Sequence, residues 1–111
     1  MLIRPMSVRD AGAVALLNRE MQYHSSEPQI AARFRSLSAQ PGNGLFVAET
    51  GGEVVGWAHV RLVELLQTDP YAALAGLAVR LDAREQRIGA QLVAACRAWA
   101  QDRGHADVRL P

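Results

Sequence analysis

The order of hydrophobic periods predicts a mixed α/β (α+β) domain, with helices flanking a mostly antiparallel central sheet in the order β-α-α-β-β-β-α-β. Three observations carry this. Apolar residues recur at helical spacing towards both ends of the chain and at strand spacing in its middle. Gly51-Gly52 separates two alternating runs, as a tight hairpin between antiparallel strands requires. Half of the 111 residues are hydrophobic and 21% are charged, which suits a packed core and argues against a disordered chain.

Taken in order, Leu2-Ile3-Arg4 reads as a short strand ended by Pro5. Ser7 followed by Asp10 is a weak capping box, and Val14, Leu17 and Met21 then place a helix over residues 8–21. Tyr23-His24-Ser25 breaks that pattern. Ser26 with Pro28 and Gln29 marks a second helix start, whose apolar stripe is Ile30, Phe34 and Leu37. Pro41-Gly42-Asn43-Gly44 reads as a turn. Leu45–Glu49 and Val54–Leu62 are strand-like. In the second of these, Val54, Gly56, Ala58, Val60 and Leu62 share one face. Val55, Trp57, His59 and Arg61 share the other, which is mixed enough to border a site. Glu64–Asp69 is expected to be a connection closed by Pro70, Tyr71–Val79 a further strand, and Arg80–Arg87 a polar loop. Ile88, Leu92, Cys96 and Trp99 form a helical stripe on 88–103, with Gly104 as its stop. His105–Leu110 begins a last strand. No repeat, low-complexity tract or linker divides residues 1–111, so a single domain is expected.

Composition also bounds the function. All twelve cations are Arg, against eleven Asp and Glu, for a net charge of +1, which gives no support to a nucleic-acid partner. Apolar runs such as Ala13–Leu17 and Leu92–Cys96 are far shorter than the roughly 20 residues of a membrane helix. No basic segment precedes an apolar one at the N-terminus, so no signal peptide and no membrane association are expected, and the expected location is cytoplasmic. A single cysteine, Cys96, forms neither an intrachain disulfide nor a metal cluster, and no metal site is expected.

The segment richest in chemistry runs from Leu77 to Leu92. It reads as a strand, a polar turn, and a helix whose first turn holds Gly89 and Ala90. The first N–H groups of a helix lack internal partners and lie at the positive end of its dipole. Small residues there let a phosphate approach the backbone, and Arg84 and Arg87 add cationic donors. The same spacing suits an ordinary strand-to-helix turn with a solvated Arg/Glu face.

This segment resembles the acetyl-CoA loop of the GNAT superfamily of acetyl-CoA-dependent N-acetyltransferases, whose signature is Arg/Gln-x-x-Gly-x-Gly/Ala. The match runs from Leu77-x-Val79 through Arg84 and Gly89 to Leu92, with Arg87 where the signature has its first Gly. The resemblance extends over the whole chain. Ile3-Arg4-Pro5-Met6-Ser7-x-x-Asp10 is similar to the family's N-terminal strand and helix start. Phe46-Val47-Ala48-Glu49 with Gly51-Gly52-Glu53-Val54-Val55-Gly56 is similar to its hairpin, and Ala98-Trp99-Ala100-x-x-x-Gly104 to the end of its central helix.

The resemblance implies a GNAT-like fold, acetyl-CoA as acetyl-donor cosubstrate, and acetyl transfer to a primary amine on a small molecule or peptide by direct attack in a ternary complex. It implies that backbone groups of Leu77 and Val79, flanking Ala78, bond the pantetheine. It implies that N–H groups across Glu85, Gln86, Arg87, Ile88, Gly89 and Ala90, beside Arg84, hold the pyrophosphate, and that the Leu77 N–H is an oxyanion donor. For proton transfer the candidates are His59 on the mixed strand face and Glu64 near the acceptor side, with Asp69, Tyr71 and Tyr23 behind them. His59 reads more readily as an exposed or structurally bonded histidine, and Glu64 and Asp69 as solvated loop charges. Cys96 and both tryptophans read first as packing residues.

The family's further helix and final strands are absent after Pro111. The expectation is therefore a domain incomplete at its C-terminus, either a fragment of a longer frame or a short member completed as a homodimer through the open sheet edge. The competing function is a non-catalytic acyl-CoA-binding or interaction module, for which Arg87 and the short C-terminus speak.

Overall fold

The computed structural model describes the backbone of residues 1–111 and the side chains of all of them except 84–86. Strand β1 (Leu2–Pro5) leads through a 3-10 turn at Val8–Asp10 into helix α1 (Ala11–Glu20), followed by α2 (Glu27–Ser38). Three long strands follow: β2 (Asn43–Thr50), β3 (Glu53–Leu65) and β4 (Thr68–Val79). A 3-10 segment at Leu81–Gln86, helix α3 (Ile88–Asp102) and the short β5 (Val108–Arg109) complete the chain. The strands form one sheet in the order β1-β2-β3-β4-β5, antiparallel except for the β4–β5 pair. The expected order of elements and the mostly antiparallel sheet are both present.

Local chemistry accounts for most boundaries. The Ser7 N–H donates to Asp10 Oδ2 at 2.8 Å, closing the expected capping box. Arg4 adds a fork to the same carboxylate, at 2.8 and 2.9 Å, and reaches Glu49 at 3.1 Å. This ties the first helix start to β1 and β2. At α2, the Ser26 N–H donates to Gln29 Oε1 at 2.9 Å and the Gln29 N–H to Ser26 Oγ at 3.3 Å, the reciprocal box its sequence announces. Gly51 and Gly52 both have positive φ, +57° and +80°, as a two-residue hairpin demands.

Four expectations are corrected. Asn43 and Gly44 belong to β2, opposite Arg61 and Val60, because Gly44 lies buried beneath Trp99. A Cβ there would sit 2.8 Å from the indole Nε1, so close approach, not a turn, is what needs glycine. The segment 64–69 is no open connection. Leu65 pairs with Thr68 around a two-residue hairpin turn at Leu66-Gln67, and Pro70 falls in a register irregularity between the Val63–Tyr71 and Leu65–Thr68 pairs. A bulge tolerates the missing N–H of proline, so Pro70 does not end the strand. The expected loop at 80–87 is largely the 3-10 segment, and the last strand pairs only through Val108 and Arg109.

The sheet is covered differently on its two sides. Gly56 faces α3, with Leu92 and Ile88 3.1–3.3 Å from where its Cβ would be, while the adjacent Trp57 packs with the α1/α2 cluster. Successive strand residues point to opposite faces, so α3 and the α1/α2 pair lie on opposite sides. The α3 side holds the larger core, including Ala58, Val60, Leu92, Cys96 and Trp99. Cys96 is fully buried, and burial pushes its thiol up to about 11, so it is a packing residue. Among the described residues, no helix is long and apolar enough to cross a membrane.

Candidate active site

The site is built from the second half of β4. Beyond Ala73 no strand pairs with β4 on its β5 side, since β5 meets it only at Ala72 and Ala73. On the β3 side, the Arg80 N–H donates to the Val55 carbonyl at 2.8 Å. Antiparallel alternation then turns the amides of residue 78 towards β3 and those of Leu77 and Val79 towards the open edge. A register shift between the His59–Gly76 and Val60–Leu74 pairs leaves Ala75 as an extra residue, bending the strand just before Leu77.

Two adjoining cavities follow this edge. One, of about 280 Å³, is lined by Met21, Leu77, Ala78, Val79 and Gly89. The next, of about 290 Å³, shares Met21 and Leu77 and is bordered by Ala75, Gly76, Trp57, Asn18, Tyr23, Ser25 and Arg33. Trp57 forms the wall. Its ring lies against Gly76, where a Cβ would come within 2.7 Å of it, and its Nε1–H donates to Asn18 Oδ1 at 2.9 Å. Asn18 is buried near the end of α1, and its carbonyl accepts from the Met21 and Tyr23 N–H groups. One residue thus fixes both the indole and the loop that carries Tyr23.

A third cavity, about 190 Å³, opens between β3 and the α1/α2 pair and contains His59, Trp57, Asn18 and Arg33 among apolar side chains. His59 Nε2 lies 2.7 Å from Asn43 Oδ1, and the Asn43 amide nitrogen donates to Gln40 at 3.3 Å. Asn43 therefore offers an acceptor to the ring, which makes Nε2 the donor and leaves the lone pair on Nδ1. Burial, and secondarily the charge of Arg61, hold the His59 pKa below its ordinary 6.5, so the ring is neutral at pH 7.

At the start of α3, Arg87 occupies the N-cap with φ +59° and ψ 26°, a left-handed conformation. The Arg87 side chain makes no capping hydrogen bond to this helix. The first helical bond described there runs from the Gln91 N–H to the Arg87 carbonyl, so the N–H groups of Ile88, Gly89 and Ala90 precede it. Ile88 is buried and contributes only backbone; Gly89 faces the cavity. Glu20, at the end of α1, accepts the Leu81 N–H at 2.9 Å and fixes where the preceding segment begins.

Leu77, Ala78, Val79 and Gly89 thus come together at one cavity, with Arg87, Ile88 and Ala90 beside it. The side chains of Arg84, Glu85 and Gln86 lie outside the described residues. His59 pairs with Gly76 across the strands and so lies next to Leu77. Glu64 does not: the neighbouring Val63 pairs with Tyr71, six residues or about 20 Å along the strand from Leu77. Asp69 is at that same far end, and Tyr71 packs beneath Arg109, whose guanidinium carbon is 3.7 Å from the ring centroid. Tyr23 is exposed and borders the cavity that Leu77 shares. The sequence reading passed over Asn18 and Arg33. Asn18 had a signal, a polar residue four positions after Val14 on an apolar helical stripe; Arg33, on the outer face of its helix, had none.

Comparison with known proteins bears on the fold and the family. The family model for the acetyltransferase (GNAT) family matches residues 12–110. No curated protein matches the chain. Among solved structures, a GNAT family acetyltransferase from Staphylococcus aureus is 12% identical, with a TM-score of 0.84 over 99% of this chain and 84% of that one. An aminoglycoside 6′-N-acetyltransferase from Acinetobacter baumannii is 20% identical, with a TM-score of 0.85 over 99% and 78%. The aminoglycoside N-acetyltransferase AAC(6′)-Iy, in complex with CoA, is 19% identical, with a TM-score of 0.84 over 99% and 75%. At these identities the structures speak for the fold, while the family match spans nearly the whole sequence. The chain belongs to the GNAT family of acetyltransferases.

Proposed function

We propose that this chain transfers an acetyl group from acetyl-CoA to a primary amine by direct attack in a ternary complex. The observation that carries the reading is the edge of β4 at Leu77, whose outward amide borders a cavity that Gly89, in the first turn of α3, also lines. Gly89 fits a cradle for the cofactor, because a Cβ there would meet only Val79 Cγ2, at 3.8 Å. Packing does not demand glycine at this position, and its absent side chain keeps the cavity open.

Acetyl-CoA would supply an activated thioester, so no covalent intermediate with the protein is needed. Leu77 and Val79 would bond the pantetheine amides as an added strand would. The N–H groups of residues 85–90, with Arg84 and Arg87, would hold the pyrophosphate. The Leu77 N–H would donate to the carbonyl oxygen as negative charge builds there, a role typically worth ~3 kcal/mol. Neutral His59, beside Gly76 and Leu77, would take the proton of the attacking amine, directly or through water, as the new C–N bond forms. The thioester C–S bond would then break, and CoA would leave as a thiolate that regains that proton from the imidazolium or from water. Glu64, at the far end of the hairpin, has no part in this arrangement.

Titration calorimetry with acetyl-CoA, using ATP and NAD as controls, tests the cradle, and thiol release over an amine panel tests turnover. Selective acetyl-CoA binding is expected, with a rate that rises with pH through a value below 6.5 and then levels off. His59→Gln should flatten that profile and lower the rate on the order of 100-fold. A folded chain that ignores acetyl-CoA would overturn the reading. Binding without turnover would instead make the chain an acyl-CoA-binding module, the reading favoured by an arginine in left-handed conformation where the family signature has glycine.

A further inference from the structure

The described side chains divide their charge unevenly around α1. On one side, a groove of about 440 Å³ gathers the carboxylates of Asp10, Glu20, Glu49 and Glu53 with Arg4, Arg9 and Arg80. On the other, the two cavities beyond Leu77 are lined by no Asp or Glu at all. Their one permanent charge is Arg33, which borders both. Its Nη1 donates to Ser25 Oγ at 2.8 Å, and Arg33 forms no ion pair among the described residues. A guanidinium carries five N–H donors in a planar fork, so the single Ser25 bond leaves most donors of this exposed side chain, at the rim of both cavities, without an anion among the described residues. Arg4 and Arg80, by contrast, each meet two carboxylates.

We propose that the acceptor amine carries a carboxylate and an apolar group, the chemistry of an apolar α-amino acid, and that Arg33 binds the carboxylate. The inference rests on the acetyl-transfer reading and deepens it. A carboxylate completes the Arg33 fork with charge-assisted bonds. The apolar group enters the 190 Å³ cavity among Val14, Ile30, Phe34, Leu37 and Leu45, which shares Trp57, Asn18 and Arg33 with the cavity at the Leu77 edge. A polycationic amine finds the opposite: no carboxylate to replace its hydration, and a cation already in place.

The test compares L-leucine, L-leucinamide and spermidine as acceptors. L-Leucine is expected to have a KM at least tenfold below that of leucinamide, with spermidine poorest. Arg33→Gln should abolish the preference for leucine, and Arg33→Lys should restore part of it. Equilibrium binding supplies a readout independent of turnover: with CoA present, N-acetyl-L-leucine should bind at least tenfold more weakly to Arg33→Gln, and N-acetyl-L-leucinamide should bind both proteins alike. Equal or better use of leucinamide or spermidine, or unchanged binding of N-acetyl-L-leucine to Arg33→Gln, would overturn the proposal. Acetyl-CoA calorimetry on the same proteins separates the two failures, because acetyl-CoA binding without amino-acid selectivity sinks only the acceptor assignment.

Discussion

The starts of α2 and α3 handle the same physical problem in opposite ways. Every helix begins with N–H groups that have no internal acceptor. At α2, Ser26 and Gln29 close on each other, and the helix start is self-sufficient. The 3-10 turn leading into α1 does likewise through Ser7 and Asp10, reinforced by Arg4. At α3, an arginine in left-handed conformation stands at the N-cap, and its side chain makes no capping bond. It is also the start that borders the open edge of β4. Capped starts serve stability, whereas the role proposed for the start of α3, beside a cavity, is to keep its donors for a ligand. Substitutions can break that division of labour at either kind of start.

The largest stability effect is expected at Asp10. Asp10→Ala removes both the Ser7 bond and the Arg4 fork from a nearly buried carboxylate, a loss of about 2–3 kcal/mol, or roughly 10–20 °C in Tm by thermal unfolding. The acid limb of stability should change with it. Hydrogen bonding to Arg4 holds the Asp10 pKa below 3.8 against the opposing effect of burial, so its contribution is full above 3.8 and is lost as pH falls through the lower folded value. Wild type and Asp10→Ala should therefore converge in stability at low pH. Acetyl-CoA affinity of the folded fraction should not move.

Gly89→Leu should show the inverse pattern. It fills the cavity at α3 and should weaken acetyl-CoA at least tenfold by calorimetry, about 1.4 kcal/mol, while Tm holds or rises because glycine is a poor helix former. A Tm fall with unchanged affinity would deny the contrast between the two helix starts. Ser26→Ala is expected to cost about 1 kcal/mol of stability in denaturant unfolding, again with unchanged acetyl-CoA binding. The smallest effect belongs to Arg87→Gly. Relief of the left-handed strain at φ +59° should add about 0.5 kcal/mol of stability by the same measurement. Any accompanying change in acetyl-CoA affinity reads directly whether the arginine side chain helps or hinders the cradle.

Legibility in the sequence followed the range of the interaction. Ser26 with Gln29, Ser7 with Asp10, and Gly51 with Gly52 act within three residues, and each does what its spacing announced. The stripe of Ile88, Leu92, Cys96 and Trp99 was readable for the same reason, since helical periodicity is local. Misreadings arose where punctuation had a tertiary cause. Pro70 looked like a stop but sits in a bulge, and Gly44 looked like a turn but makes room for Trp99. Within the candidate site, the strand-to-helix segment from Leu77 to Ala90 was visible as a pattern. The Trp57–Asn18 bond spans 39 positions and had no pattern to give it away.

The sequence by itself determined the kind and order of elements, the capped helix starts, the hairpin at Gly51-Gly52, and the family resemblance, because these depend on residues close together along the chain. Only the tertiary structure decided that β4 bulges at Ala75, that Leu77 lies next to His59 while Glu64 lies about 20 Å away along the strand, and that Arg33 borders both cavities with no carboxylate beside it among the described residues. Those outcomes follow from register and packing between distant segments. A shift of one residue in either would turn the same side chains to the other face of the sheet.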